Sequence, residues 1–188
     1  MNTTEFLNIT SLIVPDRTAI VFDGKRFSFQ ELEERVKKLA NALAGMGVKA
    51  GDRIASMQVN CNENIETYFA AAKLDAVYVP LNFRSSPEEI EYMIKDSKPK
   101  ILITGERYVS MVDGIKENLT SVDGFVVLDH ASAEGWESYE PLLSASSSED
   151  MYPMGDEDDL TMVMFTAGTT GSPKGVMLSH DSFASYIL

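Results

Sequence analysis

Between Thr166 and Lys174 the chain sets Gly168 and Gly171 among the hydroxyls of Thr166, Thr169, Thr170 and Ser172, with Ala167 inside the run and Pro173 before the lysine. Glycine backbones reach conformations closed to other residues and bring amide N–H groups close to an anion. The hydroxyls add donors within the same short loop. Lys174 is the only lysine or arginine after Trp136, on a chain whose 16 Lys+Arg against 29 Asp+Glu leave a net charge of −13. That concentration of donors reads as a phosphate cradle, with Thr166, Ala167, Gly168, Thr169, Thr170, Gly171, Ser172, Pro173 and Lys174 as the candidate nucleotide-contacting residues. It is not a Walker A loop, which runs G-x-x-x-x-G-K-[ST] into a helix. Here Gly168, Gly171 and Lys174 are evenly spaced, and Pro173 biases Ser172 away from helix. "LTMVMFT" (160–166) and "GVMLSH" (175–180) read as strands, so the loop is expected to join two strands. His180, Asp181 and Ser182 then offer capping residues before "FASYIL".

Other reactive side chains carry less. Cys61 is the only cysteine, so no intrachain disulfide is possible, and "VNCNEN" offers it no neighbouring histidine as a base. His130 follows "FVVLD" without a second ligand type nearby, and no metal site is predicted. His180 is read as structural, with a role near the substrate as the alternative. The "DEDD" run (156–159) lacks the spaced oxygen ligands and terminal Glu of an EF-hand and is read as part of a solvated connection.

The acidic balance repels nucleic acid and anionic lipid, and no basic stripe opposes it. No apolar run approaches the roughly 18 residues of a membrane helix, and "MNTTEFLNIT" lacks a basic region followed by an apolar block. A cytoplasmic location is expected. Without secretion, the Asn-x-Thr triplets at Asn2, Asn8 and Asn118 are chance matches.

The elements that must position the loop follow from periodicity. The first fifteen residues read as a short helix stopped by Pro15. Asp23-Gly24 is a hairpin signal inside "TAIVFDGKRFSF". Ser28 with Glu31 makes a capping box ahead of the stripe Leu32, Val36, Leu39, Ala40, Leu43 and Met46, closed by Gly47. The strand "RIASMQV" precedes a helix over 62–74 with Ile65, Tyr68, Phe69 and Ala72 on one face. "AVYVPL" is a buried strand. Ser86-Pro87-Glu88-Glu89 opens a helix burying Ile90, Met93 and Ile94. "KILIT" is a strand, 106–119 a helix, "GFVVLD" a strand, and Trp136, Tyr139, Leu142 and Leu143 fall in a short helix. The Tyr68–Phe69 and Trp136–Tyr139 pairs are read as core.

Strands alternating with helices imply an α/β fold, a layered and mainly parallel sheet with helices on both faces. Residues 1–143 are read as an α/β subdomain and 144–159, "SASSSEDMYPMGDEDD", as a mobile acidic, serine-rich linker. Residues 160–188 form the strand-loop-strand carrying the loop and the start of a helix.

"FTAGTTGSPKGV" (165–176) resembles the glycine-rich phosphate loop of the AMP-forming, adenylate-forming enzymes, with Ala167 where serine is usual. "FSFQELEERVKKLANALAGMGVKAGDRIA" (27–55) and "DAVYVPLNFRSSPEEIEYMIKDSKPKILIT" (75–104) are similar to two further segments of that family, with Asp75 at a usual glycine and Phe83 at a frequent proline. The resemblance implies an incomplete part of the large N-terminal domain of such an enzyme, closest in flavour to the acyl-CoA synthetase branch of fatty acid metabolism. It implies ATP/AMP with Mg²⁺, a small-molecule carboxylic acid, and coenzyme A as thiol acceptor, with catalytic residues downstream of Leu188 and this chain inactive alone. A non-catalytic nucleotide- or partner-binding protein and an amino-acid adenylation domain are the alternatives. A sheet cut at 160–188 is expected to expose an edge and to self-associate.

Overall fold

In the computed structural model, which describes residues 1–128, 133–166 and 173–187, local signals decide where most elements begin and end. Helix α1 (Thr4–Ile13) stops ahead of Pro15. Strands β1 (Thr18–Phe22) and β2 (Lys25–Ser28) form the expected hairpin, turning at Asp23 and Gly24 with φ of 48° and 75°. Helix α2 (Phe29–Gly45) opens on its capping box. The Glu31 amide donates to Ser28 Oγ at 3.1 Å, and the Ser28 amide donates to the Glu31 carboxylate at 2.7 Å.

Strand β3 (Arg53–Met57) then leads to α3 (Asn62–Lys73), β4 (Val77–Pro80) and α4 (Pro87–Ser97), which carries the second capping box between Ser86 and Glu89. Strand β5 (Ile101–Thr104) follows, then α5 (Glu106–Asp113), β6 (Gly124–Val127), the short β7 (Glu137–Ser138) and α6 (Tyr139–Ser144). Strands β8 (Leu160–Thr166) and β9 (Lys174–Ser179) and helix α7 (His180–Ile187) close the chain.

Three expectations need correction. The helix expected over 106–119 ends at Asp113; Gly114 caps it, and a 3-10 turn covers Lys116–Asn118. Glycine loses the most backbone entropy in a helix, so it is where a helix stops cheaply. Trp136 is not in the following helix but precedes β7, because Gly135 turns the chain at φ 75°. On α3, Ala72 is buried and Tyr68 and Phe69 pack against the core as expected, but Ile65 is exposed and the buried set also takes in Asn62, Glu66, Thr67, Ala70, Ala71 and Lys73.

The large sheet has the order β7-β6-β5-β3-β4-β8-β9, parallel throughout except for the β8–β9 pair. From β3 the chain steps to β4 on one side, then returns past β3 to β5. Right-handed crossovers in opposite directions put α3 and α4 on opposite faces. Alternation along the strands feeds both layers. Ile54, Tyr78, Ile101, Ile103 and Val126 pack under α1, α2, α3 and α6. Ala55, Met57, Val79, Leu102 and Val127 pack under α4 and α5. Trp136 belongs to this second layer and Tyr139 to the first.

The segment between α6 and β8 is tied to the body by side chains. Asn41 Nδ2 donates to the Glu149 carbonyl at 2.8 Å, and the buried Lys73 ammonium meets Asp150 at 2.7 Å. Asp75 Oδ2 accepts the amides of Met154 at 2.7 Å and Gly155 at 3.1 Å. Asp75 itself holds φ 51°, a conformation that glycine adopts freely and aspartate tolerates.

Candidate functional site

The loop singled out in the sequence sits at the tip of the β8–β9 hairpin. The two strands pair antiparallel from Leu160↔Ser179 at the base to Thr166↔Lys174 at the tip. Thr166 Oγ1 lies 3.5 Å from the Lys174 carbonyl it faces, and both residues are exposed. Opposite Phe165 stands Gly175, where a Cβ would approach Val163 Cγ1 to 3.0 Å. A glycine there lets the strands close tightly beside the loop. Of the predicted contact residues, Thr166, Pro173 and Lys174 are described, with Pro173 half-buried. Ala167, Gly168, Thr169, Thr170, Gly171 and Ser172 lie outside the described residues, as does His130.

Because β8 runs parallel to β4, its tip emerges at the carboxyl edge of the parallel sheet, the edge at which open α/β sheets bind ligands. Lys174 makes no ion pair among the described residues, although the chain carries 29 acidic side chains. A cation with no ion pair among the described residues and the Thr166 hydroxyl thus flank the glycine-rich segment. They do not make a metal site. No group of acidic, histidine or cysteine side chains converges as a metal site among the described residues.

His180 stands at the other end of the hairpin. The 6 residues of β9 at about 3.4 Å each place it about 20 Å from the loop. It is 1% exposed, and its Nδ1 accepts the Thr3 amide at 3.1 Å and lies 3.0 Å from Thr3 Oγ1. With Nδ1 accepting, the ring proton belongs on Nε2. Burial pushes this imidazole below its ordinary range, against the opposing pull of Asp75 and Asp159. This is a structural environment, as the sequence reading favoured. Cys61 is equally unsuited to nucleophilic work: burial, aided by the Glu63 carboxylate, pushes its thiol up to about 12, leaving it protonated at neutral pH.

Sequence reasoning missed the charged groups that lock the helical layer. Glu66, wholly buried on α3, accepts from Arg35 Nε at 2.8 Å and Nη2 at 3.0 Å, from Asn62 at 2.7 Å and from Tyr139 at 2.7 Å. Arg35 also grips Glu140 on α6. The only local signal is Asn62 four residues before Glu66, a spacing that makes them neighbours on a helix.

These features place the chain among known proteins. It belongs to the AMP-binding enzyme family, whose pattern matches residues 13–188. It is similar to the indoleacetate–CoA ligase of Aromatoleum aromaticum, at 34% identity over 98% of this chain and 36% of that enzyme. The anthranilate CoA ligase AuaEII, solved in complex with anthranoyl-AMP, shares the fold at a TM-score of 0.93 and 24% identity, over 96% of this chain and 35% of that one. ATP-bound MatB from Rhodopseudomonas palustris gives a TM-score of 0.83 at 28% identity, over 98% and 36%. The chain thus spans little more than a third of the length of these relatives. No described helix is long and apolar enough to cross a membrane.

Proposed function

We propose that this chain is the N-terminal part of an AMP-forming carboxylic acid–CoA ligase and carries its ATP phosphate loop. In the proposed reaction a carboxylate oxygen attacks the α-phosphorus of ATP and pyrophosphate leaves, giving an acyl-adenylate. The coenzyme A sulfur, having given up its proton, then attacks the acyl carbonyl and AMP leaves. The single observation that carries the reading is Lys174, without an ion pair among the described residues, opposite Thr166 across the hairpin tip at the carboxyl edge of the sheet, in a chain of this family. Lys174 and the hydroxyls of Thr166, Thr169 and Thr170 hold the β- and γ-phosphates, with Ala167, Gly168, Gly171, Ser172 and Pro173 shaping the backbone around them. The chain's part is to bind and orient the leaving pyrophosphate with preplaced donors, which stabilise charge as it develops. Mg²⁺ would arrive with the nucleotide and neutralise phosphate charge. The free thiol of Cys61 fits a reducing compartment, and the cytoplasm is our reading for it.

The test is titration of the 188-residue chain with ATP and with inorganic pyrophosphate, followed by phosphorus NMR. A hydrogen bond to a charged group contributes about 1.5–3 kcal/mol, so Lys174→Ala is expected to weaken both ligands about 10- to 100-fold. Equal affinity of variant and wild type would remove Lys174 from the site.

We also propose that the chain associates with a second copy through the outer edge of β9. Among the described residues that strand has β8 as its only sheet neighbour, and Met177, Tyr186 and Ile187 are exposed at 68%, 91% and 59%. Unpaired apolar edges recruit further strands. Sedimentation velocity is expected to show dimer growing with concentration and Met177→Lys to suppress it. A single monomer species across the range would contradict the proposal.

A further inference from the structure

At the base of the β8–β9 hairpin, three separate stretches of chain converge. The His180 amide donates to the Asp159 carbonyl at 3.1 Å, and the Asp181 amide to the Glu157 carbonyl at 2.8 Å. The Thr3 amide and hydroxyl reach His180 Nδ1 from the N-terminal segment, whose Met1 ammonium pairs with Glu157. Thr3 and His180 are each 1% exposed.

We propose that Thr3 and His180 form a proton-operated clasp at the base of the hairpin, shut while the imidazole is neutral and released when it takes a proton. The clasp does not depend on the loop assignment made above. The chemistry lies in the partner. A backbone N–H can only donate, so Nδ1 must stay an acceptor for the Thr3 contact to exist. Protonation turns Nδ1 into a donor and sets N–H against N–H in a site closed to water. The Thr3 hydroxyl can reverse its role, but its amide cannot.

The charged groups around the ring come from every neighbouring stretch. Asp75, from the turn after α3, and Asp159, at the entry to β8, favour proton uptake, and the Met1 ammonium opposes it. Glu157, Glu5 on α1 and Asp181 on α7 act on that ammonium. Burial opposes the charged ring most strongly. The sign follows: the shut clasp binds the proton less tightly than the open one. Closure is therefore fully favoured above the free imidazole value of about 6.5 and weakens as pH falls below it, by at most about tenfold per pH unit.

The experiment is NMR on the 188-residue chain without nucleotide, from pH 7.5 to 5. Amide exchange at Thr3 and Ser179, corrected for the intrinsic rate at each pH, is followed together with the ring nitrogens of His180. Both amides are expected to lose protection together as pH falls below about 6.5, by at most about tenfold per unit, as the open form takes up the proton. In His180→Asn, whose side-chain oxygen accepts without titrating, protection is expected to stay flat. The proposal is overturned if His180 protonates while Thr3 stays protected, if Ser179 does not follow Thr3, or if protection at Thr3 stays flat as pH falls below about 6.5. It is equally overturned if the asparagine variant shows the wild-type profile, which would assign the effect to the surrounding carboxylates. Should that variant not fold, the wild-type titration decides alone. Since no nucleotide is present, failure of the loop assignment leaves each of these outcomes readable.

Discussion

Replacing Glu66 with alanine is expected to lower the unfolding free energy by about 3–5 kcal/mol, within the range for leaving two buried donors, on Tyr139 and Asn62, without an acceptor at about 1–3 kcal/mol each. Set against a domain stability of about 5–15 kcal/mol, that is a large fraction of the whole. The size follows from how much converges on this one carboxylate. Arg35 from α2 grips both of its oxygens, Asn62 donates from one turn earlier, and the Tyr139 hydroxyl donates from α6. Burial opposes charge on Arg35, yet Glu140 and Glu66 together hold the guanidinium firmly protonated. Burial, reinforced by the Glu66 charge, keeps the Tyr139 hydroxyl a proton donor far above its ordinary range. Without Glu66 the Tyr139 hydroxyl and the Asn62 amide lose their acceptor inside the core, while Arg35 keeps Glu140. Urea unfolding measures the loss. With a slope of about 1–3 kcal/mol per molar for small proteins, the midpoint should fall by at least about 1 M. Glu66→Gln, which keeps shape and one acceptor oxygen, should fall between the two. A loss under about 1 kcal/mol for the alanine variant would mean that water replaces the carboxylate and that the network does not lock the three helices.

Asp150→Ala is expected to cost about 3 kcal/mol or more by the same logic, because it strands an ammonium. The Lys73 side chain is 1% exposed, and its other partner is the neutral Asn8 Oδ1 at 3.2 Å. Replacing both partners distinguishes pairing from packing. Lys73→Met with Asp150→Ala should recover most of the loss, since an apolar pair of similar volume is often as stable as a buried ion pair. Failure of the double variant to recover would show that Asp150 acts on the segment leading to β8 rather than through Lys73. The pair also carries a pH dependence. Burial resists the charge on Asp150, but Lys73 and then Lys37 outweigh it and hold the carboxyl below its ordinary range. The folded chain therefore binds this proton less tightly than the unfolded chain. The contribution is complete above the ordinary aspartate value of about 3.9 and is lost as pH falls through the lower folded value. The stability gap between wild type and Asp150→Ala should accordingly narrow in acid.

Both residues show where sequence reading stops. Ile65 looked like a core position of α3 and Glu66 did not, because hydrophobicity is assigned residue by residue. A buried carboxylate is acceptable only when its donors are in place, and here they come from positions 35 and 139, far away in the chain. The same holds for Lys73, whose partner lies at position 150. Trp136 and Tyr139, close enough to be taken as one helical pair, pack on opposite faces of the sheet, a separation made by Gly135 turning the chain.

What the amino-acid sequence determined by itself is the part of the molecule governed by near neighbours. Asp23-Gly24 makes the first hairpin, Ser28 and Ser86 open their helices, and the strand-loop-strand around Lys174 follows from glycine, proline and apolar runs within a few residues of one another. Those choices depend on backbone torsions and hydrogen bonds that reach no further than a turn of helix. Tertiary structure alone decided the strand order, which places the β8–β9 tip at the carboxyl edge beside β4. It alone decided which charges could be buried, and it brought Thr3 to His180 across 177 positions. Such contacts form only once the chain has folded back on itself, and the closed geometry that rewards them cannot be read from the spacing of residues along the chain.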